Sequence, residues 1–213
     1  MSQTNKNNKL KTGSVKLADF GLARVHGSPD RRLSPNVFAR WYRPPELLLG
    51  ATRYGPACDV WGAGMVLAEL LLRRPWMPAN GDVEQLSMIF GALGLPDAAL
   101  GGANAGPGGP WPGLADLPAW VPFRPAGAPP PPLASQFPGA PADALDLLAR
   151  MLSLDPARRP SAAACLAHPY FSNAPAPTPA GRLPRPPARE DNPLMPPPAQ
   201  ATAAGGGGGG ARA

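Results

Sequence analysis

Residues 59–72 read DVWGAGMVLAELLL and suggest where the centre of the fold lies. The large apolar side chains of this stretch fall on every face of a helix, and they are Val60, Trp61, Met65, Val66, Leu67, Leu70, Leu71 and Leu72. A helix that is apolar all round belongs in the middle of a core. Asp59 is a residue type that caps helix starts. The stretch therefore predicts a central buried helix that Asp59 caps.

Shorter helices are predicted on both sides of this stretch. Residues 44–50 begin with proline and end with glycine, as helices often do. Apolar residues at helical spacing predict helices over 83–93 and 142–154, and Ser161 is placed to cap a last helix to about residue 167. Alternating polar and apolar residues predict one short strand over 14–18. The pattern is that of a mainly α fold.

Proline and glycine divide the chain into segments. Of its 33 prolines, 13 lie in residues 94–141 and 10 in residues 172–213. We expect the remaining blocks to share one modest core, onto which Trp111, Leu117, Trp120, Val121 and Phe123 anchor the 94–141 insert. Residues 172–213 include six consecutive glycines and cannot bury enough surface to offset chain entropy, so a disordered tail is expected.

Charge and cysteine content exclude several classes. The net charge of +6 permits nucleic-acid binding on charge alone, but no aromatic interleaving or groove-reading motif accompanies it, so we expect no direct nucleic-acid partner. Cys58 and Cys165 lack metal-ligand spacing and are expected to be reduced core thiols. No stretch reaches the roughly 18 apolar residues of a membrane span, and the polar start is unlike a signal peptide, so no membrane association is expected.

Four ordered motifs carry the most specific signal. Asp19-Phe20-Gly21 follows the predicted strand, and Pro45-Glu46 follows after a loop that contains serines. Asp59-Val60-Trp61-Gly62 and Asp155-Pro156-Ala157-Arg158-Arg159 come later in the chain. In this order the motifs resemble the signature set of protein kinases.

The subgroup follows from longer matches. Residues 16–24, KLADFGLAR, and residues 40–48, RWYRPPELL, look like a cyclin-dependent kinase. Residues 27–29, 67–73, 170–173, 177–179 and 183–186 resemble the kinase that activates cyclin-dependent kinases and serves general transcription factor IIH. The resemblance runs from about Gly13 to Pro186 and includes the long insert after Leu93.

The resemblance implies the C-terminal lobe of a kinase fold, without the N-terminal lobe and the catalytic loop. Phosphoryl transfer needs a Gly-rich loop, a lysine–glutamate pair and a His-Arg-Asp loop, all of which precede Asp-Phe-Gly in kinases. Only 18 residues precede Asp19, and neither histidine of the chain, His26 or His168, is followed by Arg-Asp. The expected organisation is a loose segment over 1–13, a partial kinase domain over 14–171 and the tail from 172. No catalytic residue is expected among these 213 residues.

Family resemblance assigns roles to the matching positions. Asp19 would bind the magnesium that bridges the ATP phosphates, and Phe20 beside it would be structural. Glu46 would pair with Arg159 and tie the activation segment to the lobe; Arg158 is the alternative partner. Asp59 would hold the catalytic loop in a complete kinase and is left here as a helix cap.

Phosphorylation sites are expected in the loop after Asp-Phe-Gly. Ser34 stands where the family has its activating threonine, and Ser28 matches a second phosphosite. Each serine precedes proline, which turn chemistry explains equally well. Arg24 would grip the phosphate, and Arg40 and Arg43 lie close in sequence.

Two departures from the family pattern bear on activity. Ala39 replaces a threonine whose hydroxyl bridges the catalytic base and a lysine, which would weaken catalysis even in a complete chain. Pro44 replaces the usual alanine before Pro-Glu.

The expected function is that of a cyclin-dependent-type serine/threonine kinase, in a fragment that is inactive by itself. The alternatives are a non-catalytic binding module that competes for kinase partners and a truncated gene product. By resemblance the cofactors are ATP and magnesium, with weak or no binding to this chain alone, and the partners are a cyclin and protein substrates. Residues 184–189 are a candidate ligand for an SH3-like groove. The resemblance implies a nuclear location, and otherwise a cytoplasmic one.

Overall fold

The computed structural model describes residues 17–24, 32–96, 110–122 and 129–183. The chain divides into two units. Residues 19–176 form the unit that holds the helices. Residues 1–18 and 177–213 form the other, whose described part contains one 3₁₀ turn, Ala180–Arg182.

Among the described residues there are six α-helices and no β-strand, so the fold is mainly α as the sequence predicts. The helices are α1 (Pro45–Leu48), α2 (Ala57–Leu72), α3 (Asp82–Leu93), α4 (Leu133–Gln136), α5 (Ala142–Met151) and α6 (Ala162–Leu166). Short 3₁₀ turns at Phe20–Leu22, Arg40–Tyr42, Leu114–Asp116, Pro156–Arg158 and Pro169–Phe171 connect or flank them.

Helix α2 lies at the centre of its unit and packs against α5 and against the Arg40–Tyr42 turn. Trp61, Met65 and Ala68 are buried in the largest apolar cluster. Gly64 lets the two helices approach closely, because a Cβ at this position would stand 2.9 Å from the Leu152 side chain. The centre of the fold is therefore the helix that the sequence predicts.

Two details of α2 differ from the sequence prediction. Val66 is 48 % exposed and Leu70 is 70 % exposed, because no described element covers their side of the helix. The predicted cap is also wrong: the helix begins at Ala57 after Pro56, and Asp59 is an exposed residue of its first turn. A carboxylate there interacts favourably with the helix dipole without capping a backbone N–H.

The smaller helices follow their local signals. Pro45 is the first residue of α1, and Gly50 closes the segment with φ +83°, a conformation that glycine adopts without strain. Ser161 Oγ accepts a hydrogen bond from the Ala164 N–H at 3.1 Å, which confirms the predicted cap of α6. Helix α5 ends at Met151, three residues before the predicted end.

The Pro/Gly-rich insert is anchored by its apolar residues. Trp111 is buried, and Leu117 and Trp120 pack against the main cluster. Val121 was expected to be an anchor but is 57 % exposed, and Phe123 lies outside the described residues. Phe137, which the sequence reasoning did not single out, is buried and meets the Trp76 ring edge-on at 4.9 Å.

The predicted strand over 14–18 is described only at Leu17 and Ala18. These two residues have no regular structure, so the prediction is wrong for them. A strand needs a neighbour to pair with, and the described residues contain none.

The two cysteines are free and buried, as expected. None of the helices in the described residues is long and apolar enough to cross a membrane.

Candidate functional site

A buried ion pair joins α1 to the segment after α5. Arg159 Nη1 and Nη2 donate to Glu46 Oε1 and Oε2, both at 2.7 Å, so the contact is bidentate. The Arg159 side chain is fully buried and that of Glu46 is 5 % exposed. The structure thus contains the predicted pair, with Arg159 rather than Arg158 as the partner.

Arg159 is held in place by backbone oxygens as well. Its guanidinium donates to the carbonyls of Ala57, Ser153 and Leu154, and its carbon lies 4.9 Å from the centre of the Trp61 ring. Local sequence directs it there, because Asp155 Oδ1 accepts from the Ala157 N–H and forms the turn that precedes Arg159. Its polar groups are paired, as a buried charge requires.

Cys58 is the third member of this cluster. Its thiol donates to Glu46 Oε1 at 3.3 Å. Burial, then the charge of Glu46 and this hydrogen bond, raise the pKa of the Cys58 thiol far above its ordinary value. Cys58 is therefore a neutral hydrogen-bond donor and not a reactive thiolate.

The loop before α1 has a strained and tightly held backbone. Phe38 has φ +66°, which is rare for a residue with a Cβ, and its ring lies beside Gly62 of α2. Arg43 Nε donates to the Val37 carbonyl at 2.9 Å, and Arg43 Nη2 donates to the Phe38 carbonyl at 3.2 Å. A single guanidinium therefore donates hydrogen bonds to two successive backbone carbonyls of this loop.

Residues 79–82 also contact the loop of residues 37–43. Asp82 Oδ1 accepts from Arg40 Nε at 2.7 Å, and Asp82 Oδ2 lies 3.5 Å from Arg43 Nη1. Arg40 also donates to the Asn80 carbonyl, and the Trp41 indole donates to the Ala79 carbonyl. Arg40 and Arg43, expected near the Ser34 phosphate because they are close in sequence, are instead paired with Asp82.

Tyr42 fastens this loop to α2. Its hydroxyl donates to Glu69 Oε2 at 2.5 Å. The hydrogen bond to Glu69, followed by burial, raises the pKa of the Tyr42 phenol.

Ser34 lies on an exposed segment that residues 52–54 hold. The Tyr54 hydroxyl donates to the Ser34 carbonyl at 2.6 Å, and the Leu33 N–H donates to the Thr52 carbonyl at 2.7 Å. Ser34 Oγ accepts from the Asn36 N–H, which is the turn chemistry that Ser-Pro predicts. Burial raises the pKa of the Tyr54 hydroxyl, and the charge of Arg24 opposes this rise.

The Asp19 segment has fewer partners. Asp19 is exposed, has φ +62°, and accepts one long hydrogen bond, 3.4 Å, from the Gly21 N–H. Phe20, expected to be structural, is 69 % exposed. Arg24 donates to the carbonyls of Gly21 and Ala23.

The described residues do not by themselves form the expected magnesium site. None of their His, Cys, Asp and Glu side chains cluster in threes that could hold a metal ion. One exposed carboxylate does not by itself make a metal site. Ser28 and residues 184–189 lie outside the described residues.

Sequence reasoning missed Asp82, Tyr54, Glu69 and the strained Phe38. Each acts on a residue far along the chain or through a backbone angle, so no local motif marks it. Asp82 follows a loop that contains glycine, and Tyr54 follows a basic loop. Neither loop has a sequence pattern that predicts a contact with a distant residue.

Comparisons with known proteins bear on the family to which this chain belongs. The family model described as Protein kinase domain matches residues 5–171. Cyclin-dependent kinase D-1 of Oryza sativa is 49 % identical over 180 residues, which is 84 % of this chain and 40 % of that protein. Cyclin-dependent kinase 7 of Xenopus laevis is 45 % identical over 174 residues, 82 % of this chain and 46 % of that protein.

A solved structure agrees. The CAK complex from Chaetomium thermophilum bound to ATP-gamma-S contains a chain that is 40 % identical, with a TM-score of 0.70, over 82 % of this chain and 52 % of that one. This chain spans less than half the length of the two curated relatives. From the family match and these identities, the chain belongs to the protein kinase family, in its group of cyclin-dependent serine/threonine kinases.

Proposed function

We propose that this chain supplies the peptide-recognition lobe of a serine/threonine kinase that phosphorylates serine or threonine followed by proline. The observation that carries the proposal is the loop of residues 37–43, in which Arg43 occupies the carbonyls of Val37 and Phe38. The buried Glu46–Arg159 pair stabilises the end of this loop, because it attaches helix α1, which follows the loop, to the segment after α5.

The chemistry of this loop favours proline in the position after the phosphorylated residue. Any other residue there brings a backbone N–H, which needs an acceptor when water is excluded. Arg43 takes one acceptor position on each of these carbonyls and holds both oxygens toward its guanidinium. We therefore expect the loop to offer that N–H no well-aligned acceptor, at a cost of about 1–3 kcal/mol. Proline has no N–H and avoids this cost.

Phosphate transfer requires groups that these 213 residues do not contain. No His-Arg-Asp is present, and Asp19 is a single exposed carboxylate. Positioning and charge stabilisation supply nearly all of a kinase's rate, so the chain alone is inactive and binds ATP and magnesium weakly or not at all. In a complete kinase Asp19 would hold the magnesium of ATP, and a cyclin and protein substrates would be the partners, in the nucleus.

Regulation by phosphorylation at Ser34, with Ser28 as a second site, belongs to the same proposal. By family resemblance Arg24 is the arginine that would hold this phosphate, whereas Arg40 and Arg43 are engaged by Asp82. A phosphate carries about −1.5 to −2 charges and is best held by several arginines. Phosphorylation of Ser34 would therefore order this segment only weakly in the chain alone.

A second candidate function is that of a non-catalytic module which binds substrates or kinase partners. One observation favours it: among the described residues, Arg43 and Asp82 hold the loop of residues 37–43 in a defined conformation. Such a module would compete with a full kinase for Ser-Pro segments.

Two assays on the 213-residue chain separate these functions. The first measures phosphate transfer from ATP to a Ser-Pro peptide, with Asp19→Asn as the control. We expect none, and transfer that disappears in Asp19→Asn would show that other segments of the chain supply the missing groups. The second measures binding of matched Ser-Pro and Ser-Ala peptides by fluorescence anisotropy. Preference for Ser-Pro without transfer supports the binding module, and equal binding of both peptides contradicts the proposed recognition.

A further inference from the structure

Asp82, the first residue of α3, contacts Arg40 and Arg43, the two arginines in the loop of residues 37–43. Its two carboxylate oxygens are divided between them, Oδ1 to Arg40 at 2.7 Å and Oδ2 to Arg43 at 3.5 Å. The Arg43 side chain is 13 % exposed, whereas that of Asp82 is 45 % exposed. A half-exposed carboxylate therefore borders a nearly buried guanidinium.

Arg43 has little freedom once Asp82 is in place. Its Nε and Nη2 donate to the carbonyls of Val37 and Phe38, and its Nη1 faces Asp82. All three nitrogens are thereby engaged, which fixes the plane of the guanidinium. Because Phe38 has φ +66°, its backbone stays in this conformation only while its surroundings hold it.

Arg40 holds the half-exposed side chain of Asp82 in one position. Besides its contact with Asp82, Arg40 donates to the Asn80 carbonyl at 3.0 Å, and the Trp41 indole donates to the Ala79 carbonyl at 2.9 Å. The segment of residues 79–82 is thus fastened to residues 40–43 at several points. The start of α3 is therefore tied to the loop whose carbonyls accept hydrogen bonds from Arg43.

We propose that Asp82 is a positioning residue for substrate specificity: it holds Arg43 on the Val37 and Phe38 carbonyls and so maintains the preference for proline. This inference rests on the proposed peptide recognition. Without the carboxylate, Arg43 is released from one side, the strained Phe38 relaxes, and a freed carbonyl accepts the N–H of a residue other than proline. Asp82 acts through Arg43 and does not touch the peptide.

The test combines a peptide readout with a direct readout of Arg43. The variants are Asp82→Asn, Asp82→Glu, which keeps the charge, and Asp82→Ser, a second replacement at a helix start. Asp116→Asn is the matched control, since it removes the same charge from the Leu114–Asp116 turn. Circular dichroism verifies that each variant is folded.

In the peptide assay we expect the intact chain to prefer a Ser-Pro peptide to its Ser-Ala counterpart by about tenfold. Asp82→Asn and Asp82→Ser should reduce this preference to about twofold, mainly by tighter binding of the Ser-Ala peptide. Asp82→Glu should restore most of the preference, and Asp116→Asn should leave it unchanged. Full preference in folded Asp82→Asn would overturn the inference.

Solvent exchange of the Arg43 Nε–H, followed by nuclear magnetic resonance, needs no peptide. We expect exchange about tenfold faster in Asp82→Asn than in the intact chain, and unchanged in Asp116→Asn. If exchange responds in this way but no variant discriminates the peptides, the positioning of Arg43 by Asp82 stands and the proposed recognition fails. If exchange is the same in every variant, Asp82 does not position Arg43.

Discussion

The Glu46–Arg159 cluster and the Asp19 segment come from equally recognisable motifs, yet their surroundings differ. Arg159 makes five hydrogen bonds, and both members of the pair are buried. Asp19 is exposed and accepts one long hydrogen bond from its own turn. The comparison teaches that a motif specifies residue types, whereas its physical strength depends on the groups that the rest of the chain brings to it.

Breaking the ion pair should produce the largest effect. Glu46→Gln keeps the side-chain shape but leaves the Arg159 charge buried without its partner, and we expect a loss of about 3–5 kcal/mol in the free energy of unfolding. Urea denaturation measures this loss. Arg150→Gln is the control, because it breaks the ion pair with Asp146 in which both side chains are more than half exposed, and such a pair contributes little. Equal losses in both variants would contradict the importance of burial.

Support of the cluster by α2 is tested by filling the space between α2 and α5. Gly64→Ala places a Cβ 2.9 Å from Leu152 and 3.1 Å from Met151, so we expect a loss of about 1–3 kcal/mol in the free energy of unfolding. Gly91→Ala in α3 is the matched control. Nothing lies within 4 Å of its added Cβ, and the better helix propensity of alanine should stabilise the protein by up to about 1 kcal/mol. Destabilisation by both variants would point to a general intolerance of alanine.

The pH dependence of stability sharpens the description of the cluster. The pKa of Cys58 is raised in the folded state, so its thiol stays protonated when the unfolded thiol, with a pKa of about 8.5, ionises. The stability it contributes is present below that pH and is lost as the pH rises above it. From pH 9 to pH 10 the intact chain should lose about 1 kcal/mol more than Cys58→Val. Parallel pH profiles of the two proteins would show that Cys58 ionises equally in both states.

The smallest effect is expected at Asp19. Asp19→Asn should change the free energy of unfolding by less than about 0.5 kcal/mol, because the side chain is exposed and makes one long hydrogen bond. Thermal or urea denaturation measures the change. A loss comparable with that of Glu46→Gln would erase the contrast between the two regions.

Several features could be predicted from the amino-acid sequence: the mainly α fold, the central helix near residues 59–72, the cap at Ser161 and the pairing of Glu46 with Arg159. These features depend on helical periodicity, on capping chemistry within a few residues, or on motifs whose resemblance to kinases is specific. The helical and capping signals are local and survive in any context that allows a helix to form. The Glu46–Arg159 pair joins residues 113 positions apart, and only the resemblance to kinases predicted it.

Tertiary structure alone decided which side of α2 is covered, where Arg40 and Arg43 point, and how Phe38 is held. Val66 and Leu70 are as apolar as the buried residues of α2, but exposure depends on which elements lie over them. Asp82 pairs with both arginines although it lies about 40 residues further along the chain. Such contacts depend on how distant segments pack, and hydrophobic pattern and motif spacing contain no information about them.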